Sequence, residues 1–157
     1  MIRELLGIMC DAESLTNADG YIGYCIDMVS ATHNLPGARE LFLTISTNVA
    51  ADYTTGNETY QFQLRTGTGS DGTDINAGAK TILETPAIDG DDGRVDTAGD
   101  FILRCTVPYE ASGQRYWQLY YAQAGTTPTI TIDASITPWA PRTDYNIQVE
   151  SSNVGLP

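Results

Sequence analysis

Five aspartates, Asp89, Asp91, Asp92, Asp96 and Asp100, crowd one stretch of this chain, and oxygen-rich loops of that kind hold calcium. The helix–loop–helix version needs acids at alternate positions and a glutamate at the twelfth. Counting from Asp89, the fifth place is Gly93 and the twelfth is Asp100, with no helical pattern on either flank. The stretch therefore reads as a solvated acidic loop. Ser–His–Asp hydrolysis would have to use His33, the only histidine, in the loop sequence Thr32-His33-Asn34-Leu35-Pro36, and no nucleophile-elbow pattern accompanies it. Paired carboxylates suit glycoside hydrolysis, but with 20 acidic residues some pair falls close together by abundance alone. No catalytic residue, metal ligand set or cofactor site is assigned, and the expectation is a protein that is not an enzyme.

Binding chemistry has better candidates. Tyr116-Trp117-Gln118-Leu119-Tyr120-Tyr121 offers aromatic anchors of the kind used by carbohydrate platforms and protein interfaces. On a strand, Trp117, Leu119 and Tyr121 share one face and build a core, which leaves Tyr116 and Tyr120 facing out. Trp139 between Pro138 and Pro141, followed by Tyr145, forms an extended segment whose rigid aromatic suits docking on a neighbour, or packing as a corner on its own body. Asn57-Glu58-Thr59 matches the glycosylation triplet, but three-letter matches are cheap and no export signal supports it.

The elements that must carry these residues are strands. Leu41, Leu43 and Ile45 alternate with Phe42, Thr44 and Ser46; Ile130, Ile132, Ala134 and Ile136 alternate with Thr129, Thr131, Asp133 and Ser135. Alternation at period two buries one sheet face and wets the other. The pattern predicts strands at Ile26–Val29, Glu40–Thr47, Thr59–Arg65, Lys80–Glu84, Phe101–Val107, Tyr116–Ala122, Thr129–Ile136 and Tyr145–Glu150. Polar connections at 67–78 and 87–100 separate them. Eight short strands with long and short links predict an all-β fold, an eight-stranded jelly-roll or Greek-key β-sandwich. Ile2, Leu5, Leu6 and Met9 fall at i, i+3, i+4 and i+7, one face of a two-turn helix weakened by Gly7. The domain reading is an N-terminal helical or extended arm over 1–20 and a single sandwich domain over 21–157 with an extended C-terminal segment.

Composition narrows the partners. The net charge is −12 with only 8 basic residues, scattered singly, so direct nucleic-acid binding and anionic membranes are disfavoured. No stretch approaches a membrane span, and the N-terminal apolar run is too short for a secretory signal. Cys10, Cys25 and Cys105 have no metal-ligand or disulfide-framework spacing and read as reduced thiols.

Met1-Ile2-Arg3-Glu4-Leu5-Leu6, then Asp11-Ala12-Glu13-Ser14-Leu15-Thr16, then Tyr24-Cys25-Ile26-Asp27-Met28, resembles the start of small cement (decoration) proteins of tailed bacteriophage capsids, the family typified by the cement protein of a Bordetella podovirus. The β-rich, lysine-poor character is similar over the whole length. The resemblance implies a jelly-roll body on the outer surface of the virion head, made in the host cytoplasm, present as homodimers and contacting the major capsid protein. It transfers no residue-level site. Interface contacts are placed at Ile2, Leu5, Leu6 and Met9, at Tyr116 and Tyr120, and at Trp139 and Tyr145. The competing expectation is a carbohydrate-binding β-sandwich module of a tail fibre or secreted enzyme, which would need exposed, coplanar aromatics.

Overall fold

The computed structural model describes residues 7–16, 18–28, 40–108 and 115–137. These residues are 63% strand and 4% helix, so the all-β class holds. The strands are β1 (Ile8–Leu15), β2 (Gly20–Asp27), β3 (Glu40–Val49), β4 (Thr59–Gly67), β5 (Gly69–Ser70), β6 (Ile75–Ala77), β7 (Lys80–Glu84), β8 (Ile88–Asp89), β9 (Phe101–Pro108), β10 (Tyr116–Ala124) and β11 (Ile130–Thr137), with one short helix α1 (Gly93–Asp96). One sheet has the order β1-β11-β3-β9, the other β2-β10-β4-β7 with β8 pairing the far end of β4. Setting aside the two- and three-residue strands, the first long strand pairs with the last, the second with the second-last, and so inward to β4 with β7. That is one long antiparallel hairpin rolled into a sandwich, the jelly-roll topology.

Alternation explains the core. Leu41, Leu43 and Ile45 of β3 and Ile132 and Ile136 of β11 are fully buried between the sheets, facing Tyr60, Phe62, Leu64, Trp117, Leu119 and Tyr121 of β4 and β10. The ring centroid of Tyr121 lies 6.5 Å from that of Tyr60 and 5.7 Å from that of Phe62, so aromatics fill one layer of the interior. Each such side chain contributes about 1.5–3 kcal/mol by leaving water.

Six of the expected strands appear with boundaries moved by three residues or fewer: Glu40–Thr47, Thr59–Arg65, Lys80–Glu84, Phe101–Val107, Tyr116–Ala122 and Thr129–Ile136. Ile26–Val29 is corrected to β2, which starts earlier at Gly20 and ends at Asp27. Tyr145–Glu150 lies outside the described residues, as do Ile2, Leu5, Leu6, His33, Trp139 and Tyr145. The helical reading of Ile2–Met9 fails at its described end, where Ile8 and Met9 open β1 and Met9 is fully buried. Residues 8–15 therefore belong to the sandwich and not to an arm running to residue 20. The physical reason is non-local: pairing with β11 supplies a hydrogen-bond ladder that outweighs a two-turn helical period containing a glycine. The polar look of Asp11 and Glu13 misled for a related reason. Among the described residues β1 is a sheet edge with two register shifts, and its outer row meets water.

Candidate functional site

β10 runs through the middle of the second sheet, and its outward row decides what that face presents. Trp117, Leu119 and Tyr121 point inward and are buried, as the alternation requires. Tyr116 and Tyr120 are half-buried on the other face, but the fold does not bring them together. Four residues of strand separate them by about 13 Å, and Gln118 between them is fully buried.

Gln118 is covered because the β5–β6 hairpin lies down on the sheet. Its Oε1 accepts from the Ile75 amide at 3.1 Å, and its Nε2 donates to Asp74 Oδ1 at 2.8 Å and to the Thr73 carbonyl at 3.2 Å. Gly67 makes the approach possible, since a Cβ there would stand 2.2 Å from Ile75 Cγ2. One glutamine thus fastens a connection made mostly of glycine, threonine, serine and aspartate.

Each outward tyrosine has its own arginine. The Arg115 guanidinium stands 5.1 Å from the Tyr116 ring centroid and is held by Asp27, with Nε to Oδ1 at 2.7 Å. At the other position, register places Tyr21 of β2 directly opposite Tyr120, and their rings meet edge to face at 5.4 Å and 85°. Arg65 reaches across from β4, with its guanidinium carbon 3.4 Å from the Tyr120 centroid and 5.8 Å from that of Tyr21. Its Nε donates to Gln63 Oε1 at 2.9 Å. A guanidinium flat on a tyrosine face contributes roughly 0.5–1 kcal/mol at exposed sites and more when water is removed. Tyr21, Arg65 and Tyr120, flanked by Gln63 and by Thr81 and Glu84 of β7, form a half-buried, preorganised patch of planar groups on the outward face of the second sheet.

Tyr21, Arg65 and Gln63 were missed at the sequence level. The readable signal was the outward row of β4, Gln61, Gln63 and Arg65, three long polar side chains spaced by two. Their meeting with Tyr120 depends on strand register. Met9, expected at an interface, is buried in the core instead, because β1 carries it inward against the second sheet.

Elsewhere, acids perform structural work. Asp92 caps α1 by accepting from the Arg94 amide at 3.0 Å and binds the same guanidinium through both oxygens at 2.9 and 2.7 Å. Those bonds pull the Asp92 carboxyl down to about 2. Glu58 is fully buried, and the Thr55 hydroxyl and Asn57 amide that bond it lower its carboxyl below the usual range. The acidic stretch thus supplies a cap and, through β8 and α1, pins the loop, with Val95 buried and its carbonyl accepting from the Ala51 amide at 2.8 Å. Asp133 plays a similar part on the first sheet. Its two oxygens take the Ala12 amide at 2.6 Å and Asn48 Nδ2 at 2.8 Å, beside a shallow depression of about 210 Å³ lined by Ile8, Asp11, Thr44 and Ser46. No group of three or more His, Cys, Asp or Glu among the described residues is placed to hold a metal ion, and no described helix is long and apolar enough to cross a membrane. The three cysteines are unbridged.

These environments set the pH response. Asp52, Glu58, Asp71 and Asp92 all have carboxyls lowered on folding, by hydrogen bonds first. Their stabilisation is present above the unfolded carboxylate range and is lost as pH falls through the folded values. Burial acts oppositely on Cys10, pushed up to about 12 from 9.0, and Tyr60, pushed up to about 12 from 10.0. The unfolded chain ionises these groups first, so stability also falls above about pH 9, the thiol's unshifted value. Thermal melts across pH should show both declines. Burial also raises Cys25 and Cys105, so replacing all three cysteines by alanine should move the alkaline onset toward the tyrosine range, and an unmoved onset would refute this assignment.

Compared with protein-family models, curated proteins and solved structures, the chain matches none.

Proposed function

We propose that this chain is a virion structural protein, a capsid decoration protein that attaches to the outside of a phage head and ties major capsid protein subunits together. The observation that carries the reading is the Tyr21–Arg65–Tyr120 patch, a stacked aromatic and guanidinium surface on the outward face of the second sheet. Tyrosine and arginine are among the groups that protein interfaces concentrate at their centres. Jelly rolls recur in capsid and lectin domains, which is support by fold analogy alone. The likeness of the N-terminal segments to phage cement proteins points the same way.

The carbohydrate reading is the weaker fit to this patch. A sugar needs an open ring face, yet the Tyr21 and Tyr120 rings cross at 85° and the guanidinium of Arg65 lies over the Tyr120 face. Cementing also asks little chemistry of the protein. A ligand that prefers the expanded shell stabilises that geometry by linkage, and contacts to several subunits multiply through effective concentration.

Co-sedimentation tests the proposal. Purified chain mixed with procapsid and expanded shells of the phage that encodes it should pellet with the expanded shells. Tyr120→Ala and Arg65→Ala should each weaken that binding by about 30-fold, the roughly 2 kcal/mol of an interface hot spot. Absence of the unmodified chain from both pellets would sink the reading.

A further inference from the structure

Two arginines of this fold have their forks closed by acids of the same chain. Arg94 gives Nε and Nη2 to Asp92, and Arg115 gives Nε and Nη2 to Asp27. Arg65 is built differently. Its Nε goes to the neutral oxygen of Gln63, and among the described residues no carboxylate lies within ion-pair reach of it. With 20 acids in the chain against 8 bases, a shortage of acids does not explain that.

Gln63 keeps the fork open. Its Oε1 takes Arg65 Nε at 2.9 Å, while its Nε2 faces Glu84 Oε2 at 3.4 Å. The amide so stands between the cation and the acid that register places opposite Gln63 on β7. Tyr120 fixes the plane. The guanidinium carbon lies 3.4 Å from the ring centroid, too close for any orientation but flat on the ring. One face is thus covered by Tyr120, the Nε edge is taken by Gln63, and the Tyr21 ring centroid stands 5.8 Å away. The two Nη groups remain, side by side at the end of the fork, with no hydrogen-bond partner among the described residues.

We infer that the Arg65 fork receives a carboxylate of the partner, an aspartate or glutamate side chain of the major capsid protein, bound end-on through both Nη groups. This rests on the capsid reading and adds to it the chemistry of the contact. Two parallel charge-assisted bonds need a planar fork held still, and stacking on Tyr120 holds it before the partner arrives. The bound carboxylate lies in the guanidinium plane and so parallel to the Tyr120 ring. Charge selects the ligand. A body of net charge −12 repels polyanions, so a single carboxylate matches this one fork and a phosphate backbone does not.

Co-sedimentation with expanded shells reads the contact. Arg65→Gln should weaken binding by about 30-fold, and Arg65→Glu by roughly a further tenfold, because two carboxylates then face each other. Gln63→Glu keeps Arg65 but sets an acid of the same chain on its fork, and should weaken binding about tenfold. Each variant should melt close to the parent, since both side chains lie on the outward face. Lys80 is the chain's one lysine, so Arg65→Lys adds a second. Carbodiimide coupling of shell-bound Arg65→Lys should join residue 65 to an acidic residue of the major capsid protein, identified by mass spectrometry of the linked peptides. That product needs neither of the glutamate variants to fold. Arg65→Glu binding as well as Arg65→Gln, Gln63→Glu binding as well as the unmodified chain, or couplings that never include residue 65 would each overturn the inference and leave the capsid reading standing. An unmodified chain missing from the expanded-shell pellet would sink that reading and this inference with it.

Discussion

Gly23→Ala is expected to remove most of the stability of the sandwich. Gly23 lies in β2 with φ +65°, and a Cβ there would stand 1.9 Å from the Met9 carbonyl oxygen and 2.5 Å from Cys10 Sγ. Left-handed backbone costs an alanine about 1–2 kcal/mol by itself. The overlap adds more, because a backbone oxygen in a paired strand cannot rotate away as a side-chain tip can. Relief requires β1 to part from β2, which opens the side where these edge strands of the two sheets pack together. A combined loss above about 4 kcal/mol belongs to the exceptional class of single substitutions. It is a large share of the roughly 5–15 kcal/mol that a domain has in all. Gly56 provides the control, with φ +72° and nothing within 4 Å of its added Cβ. Circular-dichroism melts should show Gly56→Ala falling by a few degrees and Gly23→Ala by about 10 °C or more. Equal melting of the two would show that the close approach at Gly23 is not what holds that side shut.

Trp117→Ala is the second large effect, and its value lies in the contrast with Tyr120→Ala three residues on. Trp117 is 2% exposed and sits on β10 between Ile26 of β2 and Thr66 of β4. Truncating a core aromatic costs about 3–5 kcal/mol, through lost transfer energy and the cavity left behind. Tyr120 is half-buried on the opposite face, so its truncation forfeits mainly the ring contact with Tyr21 and the guanidinium stacking of Arg65, about 1 kcal/mol. Stability and partner binding should therefore separate. Trp117→Ala should melt far below the parent, whereas Tyr120→Ala should melt close to it while losing shell binding. Denaturant unfolding of both variants checks the first half. A Tyr120→Ala loss as large as that of Trp117→Ala would mean that the patch is a second core and not a docking surface.

The strands of the interior were legible because burial writes itself at period two. β4 and β11 alternate apolar and polar residues along their length, β3 and β10 over part of theirs, and each lies close to where that spelling placed it. The edges were harder. β1 is polar on its wet row and twice bulged, so local pattern pointed to a helix and a turn-rich stretch. Gln118 shows the same limit within the candidate site. Nothing local marks a strand glutamine as fully buried, because what buries it is a hairpin more than 40 residues away in the chain.

By itself the sequence determined the class of fold and the inward apolar rows of the inner strands, since these follow from side-chain polarity at fixed spacing. It also determined an acid-rich, lysine-poor surface. Tertiary structure alone decided which strands are neighbours, and hence that Tyr21, Arg65 and Tyr120 meet while Tyr116 stands apart with Arg115. The cause is register. A strand's own residues specify which face is wet, whereas the partner across the ladder is chosen by the packing of the whole sandwich.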